Sequence, residues 1–193
     1  MRELVFLLEE RSASALLESM LPRMLDQSIA VRFVPFEGKQ DLEKQLTRRI
    51  RAYQNLGARF IVLRDQDSNP DCIAVKRRLL ALCAESGKAN KCLVRIACRE
   101  LETIYLADLL AVEQGLAMQG LARHQHARKF RAPDRLGSPG AELKKLTGSR
   151  YEKVAGSRAI GRHIDLGNER SPTFRNLIAA VRRMEQELLV EQA

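Results

Sequence analysis

The chain has no tryptophan, and its 193 residues hold only three tyrosines and six phenylalanines. So sparse a set offers no platform on which successive bases could stack, and no base-reading motif stands out. DNA therefore cannot be told from RNA as a partner. Four cysteines, Cys72, Cys83, Cys92 and Cys98, form no C-x-x-C pair and have no histidine at finger-like spacing. That argues against structural zinc and for reduced, mostly buried thiols in a cytosolic protein. No apolar stretch approaches the roughly 18 residues of a membrane span. Met1-Arg2-Glu3 leads into only five apolar residues before Glu9 and Glu10, unlike a signal peptide. A soluble, cytoplasmic protein without a membrane partner is expected. Around Gly38-Lys39 the G-x-x-x-x-G-K-[ST] pattern is missing, which excludes nucleotide hydrolysis by a P-loop. His124-Gln125-His126 has no acidic or cysteine partner nearby and basic neighbours in Arg123 and Arg128, so it reads as plain surface.

What remains is a chain 45% hydrophobic, long enough for one medium domain with an appendage and a core that needs no staples. Its formal net charge of +9 is unevenly placed. Between Gly120 and Arg175 there are 13 Lys or Arg against 5 Asp or Glu. An excess concentrated in the last third suits a polyanionic partner, or else a solvated basic surface.

Residues 1 to about 98 alternate between strand and helix patterns. Leu4 to Leu8, Ile29 to Val34, Phe60 to Leu63 and Cys92 to Ala97 are short apolar runs of buried-strand type. Between them lie helical stretches. The first has Ser12 as N-cap and Leu16, Leu17, Met20 and Leu21 on one face, extended by Met24 and Leu25, with Pro22 as a kink. The second repeats Leu42, Leu46 and Ile50 at intervals of four, and the third carries Ile73, Val75, Leu79, Leu80, Leu82 and Cys83. A further helical stretch opens with Leu101, Ile104, Tyr105 and Leu106. This alternation predicts an α/β fold with a parallel sheet and right-handed crossovers over residues 1–118.

Residues 119–193 are richer in charge, Gly and Pro and show no strand pattern. They are expected to form a basic, mostly helical extension packed on the α/β domain. Ser138-Pro139 and Ser171-Pro172 each pair an N-cap with Pro at the first helical position. The last helix presents Phe174, Leu177, Ile178, Val181, Met184 and Leu188 to the main domain.

Chemistry-bearing residues collect where strands end. Glu9 follows the first strand, Asp65-Gln66-Asp67 the third, and Glu100 and Glu102 the fourth. In an open parallel sheet, ligands bind beyond the carboxyl ends of the strands. Carboxylates gathered there call for a cation, and a hard divalent ion is the natural one. Asp65 and Asp67, two apart, are expected on the same side of the sheet. The same spacing also fits a solvated loop in which Asp65 or Ser68 caps the next helix. Of Glu100 and Glu102 only one can face inward, because positions i and i+2 diverge on a helix. Asp108 reads as a surface or capping residue.

Four segments, Leu8-Glu9-Glu10-Arg11-Ser12-Ala13, Glu37-Gly38-Lys39-Gln40-Asp41-Leu42, Arg64-Asp65-Gln66-Asp67-Ser68 and Arg95-Ile96-Ala97-Cys98-Arg99-Glu100-Leu101-Glu102, together resemble bacterial stand-alone TOPRIM-like proteins, a domain family of unknown function. Lys129-Phe130-Arg131 and Gly156-Ser157-Arg158-Ala159-Ile160 extend the resemblance over most of the chain. The resemblance implies a four-stranded parallel, Rossmann-like sheet flanked by helices, related to the TOPRIM domains of topoisomerases, primases and overcoming-lysogenization-defect nucleases. Glu9 matches the family glutamate, and Asp65 and Asp67 its D-x-D, as catalytic residues and ligands of Mg²⁺ (or Mn²⁺), with Glu100 and Glu102 as further candidate ligands. Where many TOPRIM sequences have Gly, this chain has Glu10. The implied activity is that of a metal-dependent nuclease or related phosphodiester enzyme, in phage defence or DNA processing, with a partner ATPase. Lys39, Lys129, Arg131, Arg158 and Arg162 are the candidates for gripping nucleic-acid phosphates; each also reads as ordinary surface charge. A non-catalytic nucleic-acid-binding or regulatory module is the other reading.

Overall fold

The computed structural model describes residues 1–190, so the last three residues of the expected extension lie outside it. Four strands form one sheet: β1 (Glu3–Leu8), β2 (Ala30–Pro35), β3 (Arg59–Asp65) and β4 (Cys92–Ala97). All pairings are parallel, in the order β2-β1-β3-β4. The two middle strands carry apolar runs, Leu4 to Leu8 in β1 and Phe60 to Leu63 in β3, as sheet interiors covered on both faces require. The helices are α1 (Arg11–Met20), α2 (Lys39–Arg51), α3 (Cys72–Glu85), α4 (Thr103–Leu106), α5 (Leu109–Gly115), α6 (Pro139–Thr147), α7 (Lys153–Gly161) and α8 (Pro172–Val190). The architecture is α/β and Rossmann-like.

Alternation along the strands splits the interior in two. Val5, Leu7, Phe60 and Val62 point to one face, where Leu42, Leu46 and Ile50 of α2 and Val75, Leu79 and Cys83 of α3 cover them. Leu4, Phe6, Leu8, Ile61 and Leu63 point to the other, larger core. There they meet Leu16 and Leu17 of α1, Ile160 of α7 and Phe174, Leu177 and Val181 of α8. Residues beyond 119 thus complete the same core that β1 begins. Among the described residues no helix is long and apolar enough to cross a membrane.

Local signals correct several expectations. The first helix starts at Arg11, with Glu10 in the cap position, and Ser12 inside its first turn donates to Glu10 Oε2 at 3.1 Å. Met24 and Leu25 do not extend it, because Pro22 turns the chain into a 3₁₀ segment, Leu21–Arg23. Neither Asp65 nor Ser68 caps α3: the Asp71 carboxylate accepts the N–H groups of Ile73 and Ala74. Ile73 and Leu80 were expected in the buried stripe of α3 but lie on its solvent side, 58% and 41% exposed. Helix α6 does begin at Pro139, but the Ser138 side chain makes no cap bond. Ser171 behaves as expected, its Oγ accepting the Phe174 N–H at 3.2 Å.

Candidate acidic site at the carboxyl ends of β1 and β3

Neighbouring strands β1 and β3 carry their following helices away in different directions, so a cleft opens beyond their carboxyl ends, the switch point of this strand order. Glu9 leaves β1 there and Asp65 closes β3. The Glu9 carboxylate accepts the Asp65 N–H at 3.0 Å, and Glu9 is 7% exposed. A cavity of about 10 Å³ lies between Glu9, Glu10, Asp65 and Leu101, room for about one water.

Asp65 continues the parity of Ile61 and Leu63 and so faces the α1 side. Burial there, and then the charges of Glu9, Glu102 and Glu10, push its carboxyl well above the usual aspartate value; the Leu101 N–H acts in the other direction. Burial likewise raises Glu9, helped by Asp67 and Glu10 and opposed by the Asp65 N–H and Arg64. Glu102, 2% exposed, is raised by burial against the pull of Lys153 and the Tyr151 hydroxyl. Three carboxyls on one rim therefore resist ionisation, and burial is the leading cause in each.

Three residues that the sequence did not single out complete this side. Lys153, the first residue of α7, places Nζ 2.8 Å and 3.0 Å from the two Glu10 carboxylate oxygens. Burial works against its charge, but Glu10, Glu102 and Asp65 raise its pKa. Tyr151 donates to Glu102 Oε1 at 3.0 Å, with Ser157 Oγ 3.3 Å away. Its ring packs 5.8 Å from Tyr105 and under Gly156, where a Cβ would come within 2.5 Å of it. The Tyr105 hydroxyl is fully buried beside Asp65 and Glu102, close to the Ser157 and Tyr151 hydroxyls but without a hydrogen bond of good geometry among the described residues. A buried hydroxyl satisfied this weakly is costly unless a water or ligand completes it. No local motif marks Lys153, Tyr151 or Tyr105; only the packing of α7 along α1 brings the first two in.

The expectation that Asp65 and Asp67 share a side is overturned. The strand stops at Asp65, and Asp67 adopts a left-handed backbone (φ 55°), so strand alternation no longer applies. Its carboxylate turns to the α2 side, where Lys39 Nζ donates to Oδ2 at 2.9 Å and gains basicity from it. Arg64 points to that side too, pairing with Glu43, with Nε 3.8 Å from Glu9. Glu9 thus stands between an α1-side pocket and an α2-side rim of alternating charge.

Glu100 and Glu102 precede α4 and both bring their carboxyls beside Gly140, so the divergence expected of a helix does not apply; Glu102 is the buried one. Glu100 Oε2 accepts the Gly140 N–H at 2.6 Å and so does for α6 what Ser138 does not. Of the basic candidates only Lys39 lies at the rim. Lys129 pairs with Glu142 at 2.5 Å, Arg131 donates to the His126 carbonyl at 2.8 Å, and Arg158 pairs with Glu18 at 2.6 Å. Arg162 is exposed beyond the end of α7.

The donor set suits a hard divalent cation: carboxylate oxygens, with no soft ligand among them. Among the described residues no three acidic, His or Cys side chains already converge on one point. Glu10 is drawn to Lys153 and Asp67 to Lys39 instead. Both lysines are about half exposed on flexible stems, so an anion can compete for either one, while Ser12 still donates to Glu10 and Asp67 stays on the α2 side. A cation beside them would favour the ionised form of Asp65, Glu9 and Glu102, whose carboxyls burial now raises.

Comparison with known proteins returns one family model, described as a domain of unknown function (DUF4276), which matches residues 8–182. No curated protein and no solved structure matches.

Proposed function

From a chain that belongs to the DUF4276 family, we propose a metal-dependent phosphodiester enzyme whose centre is the Glu9–Asp65 pair. The observation that carries this reading is Asp65 itself: a carboxyl held among three others, raised well above its ordinary value, at the switch point of a parallel sheet. Purely structural acids in such a place would be expected to have their charge satisfied. Here the polar wall also contains the buried Tyr105 hydroxyl, which makes no hydrogen bond of good geometry among the described residues.

Glu9 and Asp65 would hold Mg²⁺ or Mn²⁺, with Glu10 and Glu102 next to them. When bound, the cation would offset charge on a scissile phosphate and lower the pKa of a bound water. The remaining work falls to the chain. A carboxyl of this set that does not hold the cation, such as Glu102 with its raised pKa, is suited to give or take a proton. Lys39 and Lys153, released from Asp67 and Glu10, would meet phosphate oxygens from opposite sides of the cleft. The N-terminus of α1 adds favourable potential for an anion. Asp67 acts in this reading from the α2 side, through Lys39. The substrate would be DNA or RNA. A TOPRIM relationship, a role in phage defence and a partner ATPase are supported by the motif resemblance alone.

One observation favours the other reading, a non-catalytic nucleic-acid-binding or regulatory module: Lys153 and Lys39 already balance Glu10 and Asp67. Calorimetric titration of Mg²⁺ and Mn²⁺ separates the two, run on wild type, Glu9→Gln and Asp65→Asn. Saturable binding that both variants lose is the expected result. No binding, or binding indifferent to both substitutions, overturns the enzyme reading and leaves the module.

A further inference from the structure

Strand β2 is an edge of the sheet, with no further strand beside it among the described residues. Ala30 donates to the Arg2 carbonyl and Phe36 to the Leu8 carbonyl, so the even-numbered positions face β1. Alternation then turns the N–H groups of Val31 and Phe33 outward, and Pro35, which has none, closes the strand. An open row of donors and acceptors is a template for another strand.

Two grooves flank this edge, and their chemistry differs. On the α1 side a groove of about 360 Å³ is floored by Leu21, Leu25, Val31 and Phe33. On the α2 side one of about 510 Å³ is lined by Leu7, Val34 and Tyr53 together with three arginines, Arg32, Arg48 and Arg49, so the two differ in charge and not in apolar character. Arg32 is paired with Glu3, but Arg48 and Arg49 have no carboxylate within ion-pair distance among the described residues and are exposed. A strand added beside β2, about 4.8 Å away, would send successive side chains alternately into the two grooves.

We propose that β2 docks an extended segment of another protein in which apolar and acidic residues alternate, by adding it as a fifth strand to the sheet. Main-chain bonds to Val31 and Phe33 would give affinity, and the two grooves would read the alternation. Charge complementarity selects this occupant over a second copy of the chain. Antiparallel self-pairing about the middle of β2 would set Arg32 near its own counterpart, and like charges across strands are unfavourable. Asp26, on the α1 side, would repel an acid there and so favour one order of alternation, whereas Glu18 is already paired with Arg158.

The test is fluorescence anisotropy with a labelled ten-residue peptide of alternating valine and glutamate, and a valine–lysine peptide as its counterpart. Wild type should bind the first and not the second. In the Arg48→Glu/Arg49→Glu double variant, which changes only exposed side chains, the first should weaken by about tenfold or more. Amide exchange should show Val31 and Phe33 protected on binding in wild type. No binding of the valine–glutamate peptide overturns the proposal. So does binding indifferent to the double substitution, binding without protection of those two amides, or a concentration-dependent dimer that the peptide fails to disperse.

Discussion

The Glu9 carboxylate accepts the backbone N–H of Asp65 at 3.0 Å, so the acid leaving β1 fixes the acid that closes β3. This bond satisfies Glu9 in part but brings two negative charges together in a buried place, and Asp65 carries the consequence. A carboxyl whose pKa is higher folded than unfolded stabilises the fold below its unfolded value. That contribution is lost as pH rises through the folded value. At neutral pH Asp65 therefore works against folding. Asp65→Asn should have a higher Tm than wild type near pH 7.5, and the gap should close as pH falls toward about 4. For a chain of this length each kcal/mol corresponds to about 2–4 °C. Calorimetric melts of both proteins across that range decide it. A variant less stable than wild type at neutral pH, or a gap that ignores pH, would refute the account of Asp65 given above.

Asp67 and Arg99 sit opposite each other at the exits of β3 and β4, both in the left-handed region, at φ 55° and 62°. The Asp67 N–H donates to the Arg99 carbonyl at 2.7 Å, and Arg99 Nη1 donates back to the Asp67 carbonyl at 3.3 Å. Left-handed backbone costs a residue with a Cβ about 1–2 kcal/mol, less for Asp and Asn. Asp67→Asn should accordingly leave stability within about 0.5 kcal/mol, while Asp67→Val should lose about 1–2 kcal/mol or more. Urea denaturation of both variants provides the measurement. Equal losses would mean that the Lys39 ion pair, which both variants lack, sets the stability and the backbone does not.

The sheet was legible because its signal is local: four apolar runs of strand length, separated by helical periods, leave few topologies. Glu9 and Asp65 were legible for the same reason, since a strand's end fixes where its next residue goes. Asp67 was misplaced because the argument from alternation assumes extended backbone, and a turn to positive φ two residues later carries no clear mark in Gln66-Asp67-Ser68. Ile73 and Leu80 were misassigned because an apolar side chain at a permitted helical position reads alike on either face. Lys153, Tyr151 and Tyr105 were out of reach. The place of the first two beside Glu10 and Glu102 depends on α7 lying along α1, a contact between segments some 140 residues apart.

Lys153 is the internal cation of the α1-side pocket, and its removal should affect stability and metal binding in opposite ways. Its side chain is 52% exposed, so the pair with Glu10 contributes at most about 1 kcal/mol. Lys153→Met should lower stability by no more than that at neutral pH. Because Glu10 then loses its competing partner, Mg²⁺ should bind more tightly than to wild type, by about threefold to tenfold, if the cluster takes a cation. Parallel calorimetric titrations would show this. Weaker Mg²⁺ binding in the variant would instead make Lys153 a support of the site, and unchanged binding would separate it from the site altogether.

The position of Lys153 rests on how closely α7 is seated, and two glycines set that distance. At Gly115, the last residue of α5, a Cβ would stand 2.7 Å from the N and Cα of Ile160 and 2.8 Å from the Ala159 carbonyl carbon. At Gly161 it would meet Ser19 Oγ at 2.2 Å and the Leu16 carbonyl oxygen at 2.9 Å. Glycine to alanine in a helix ordinarily stabilises by about 0.5–1 kcal/mol. Here the sign should reverse, because overpacking costs about 1–3 kcal/mol. The two positions should also differ. Ser19 can rotate away from a methyl at Gly161, though the Leu16 carbonyl cannot, whereas at Gly115 every near atom is backbone. Gly115→Ala should therefore be the more destabilising of the two in urea denaturation. It should also loosen the Lys153–Glu10 pair, since α7 can relieve the clash only by moving off α5. If Gly115→Ala proved as stable as wild type, the close seating of α7 would be wrong, and with it the placement of Lys153 beside Glu10.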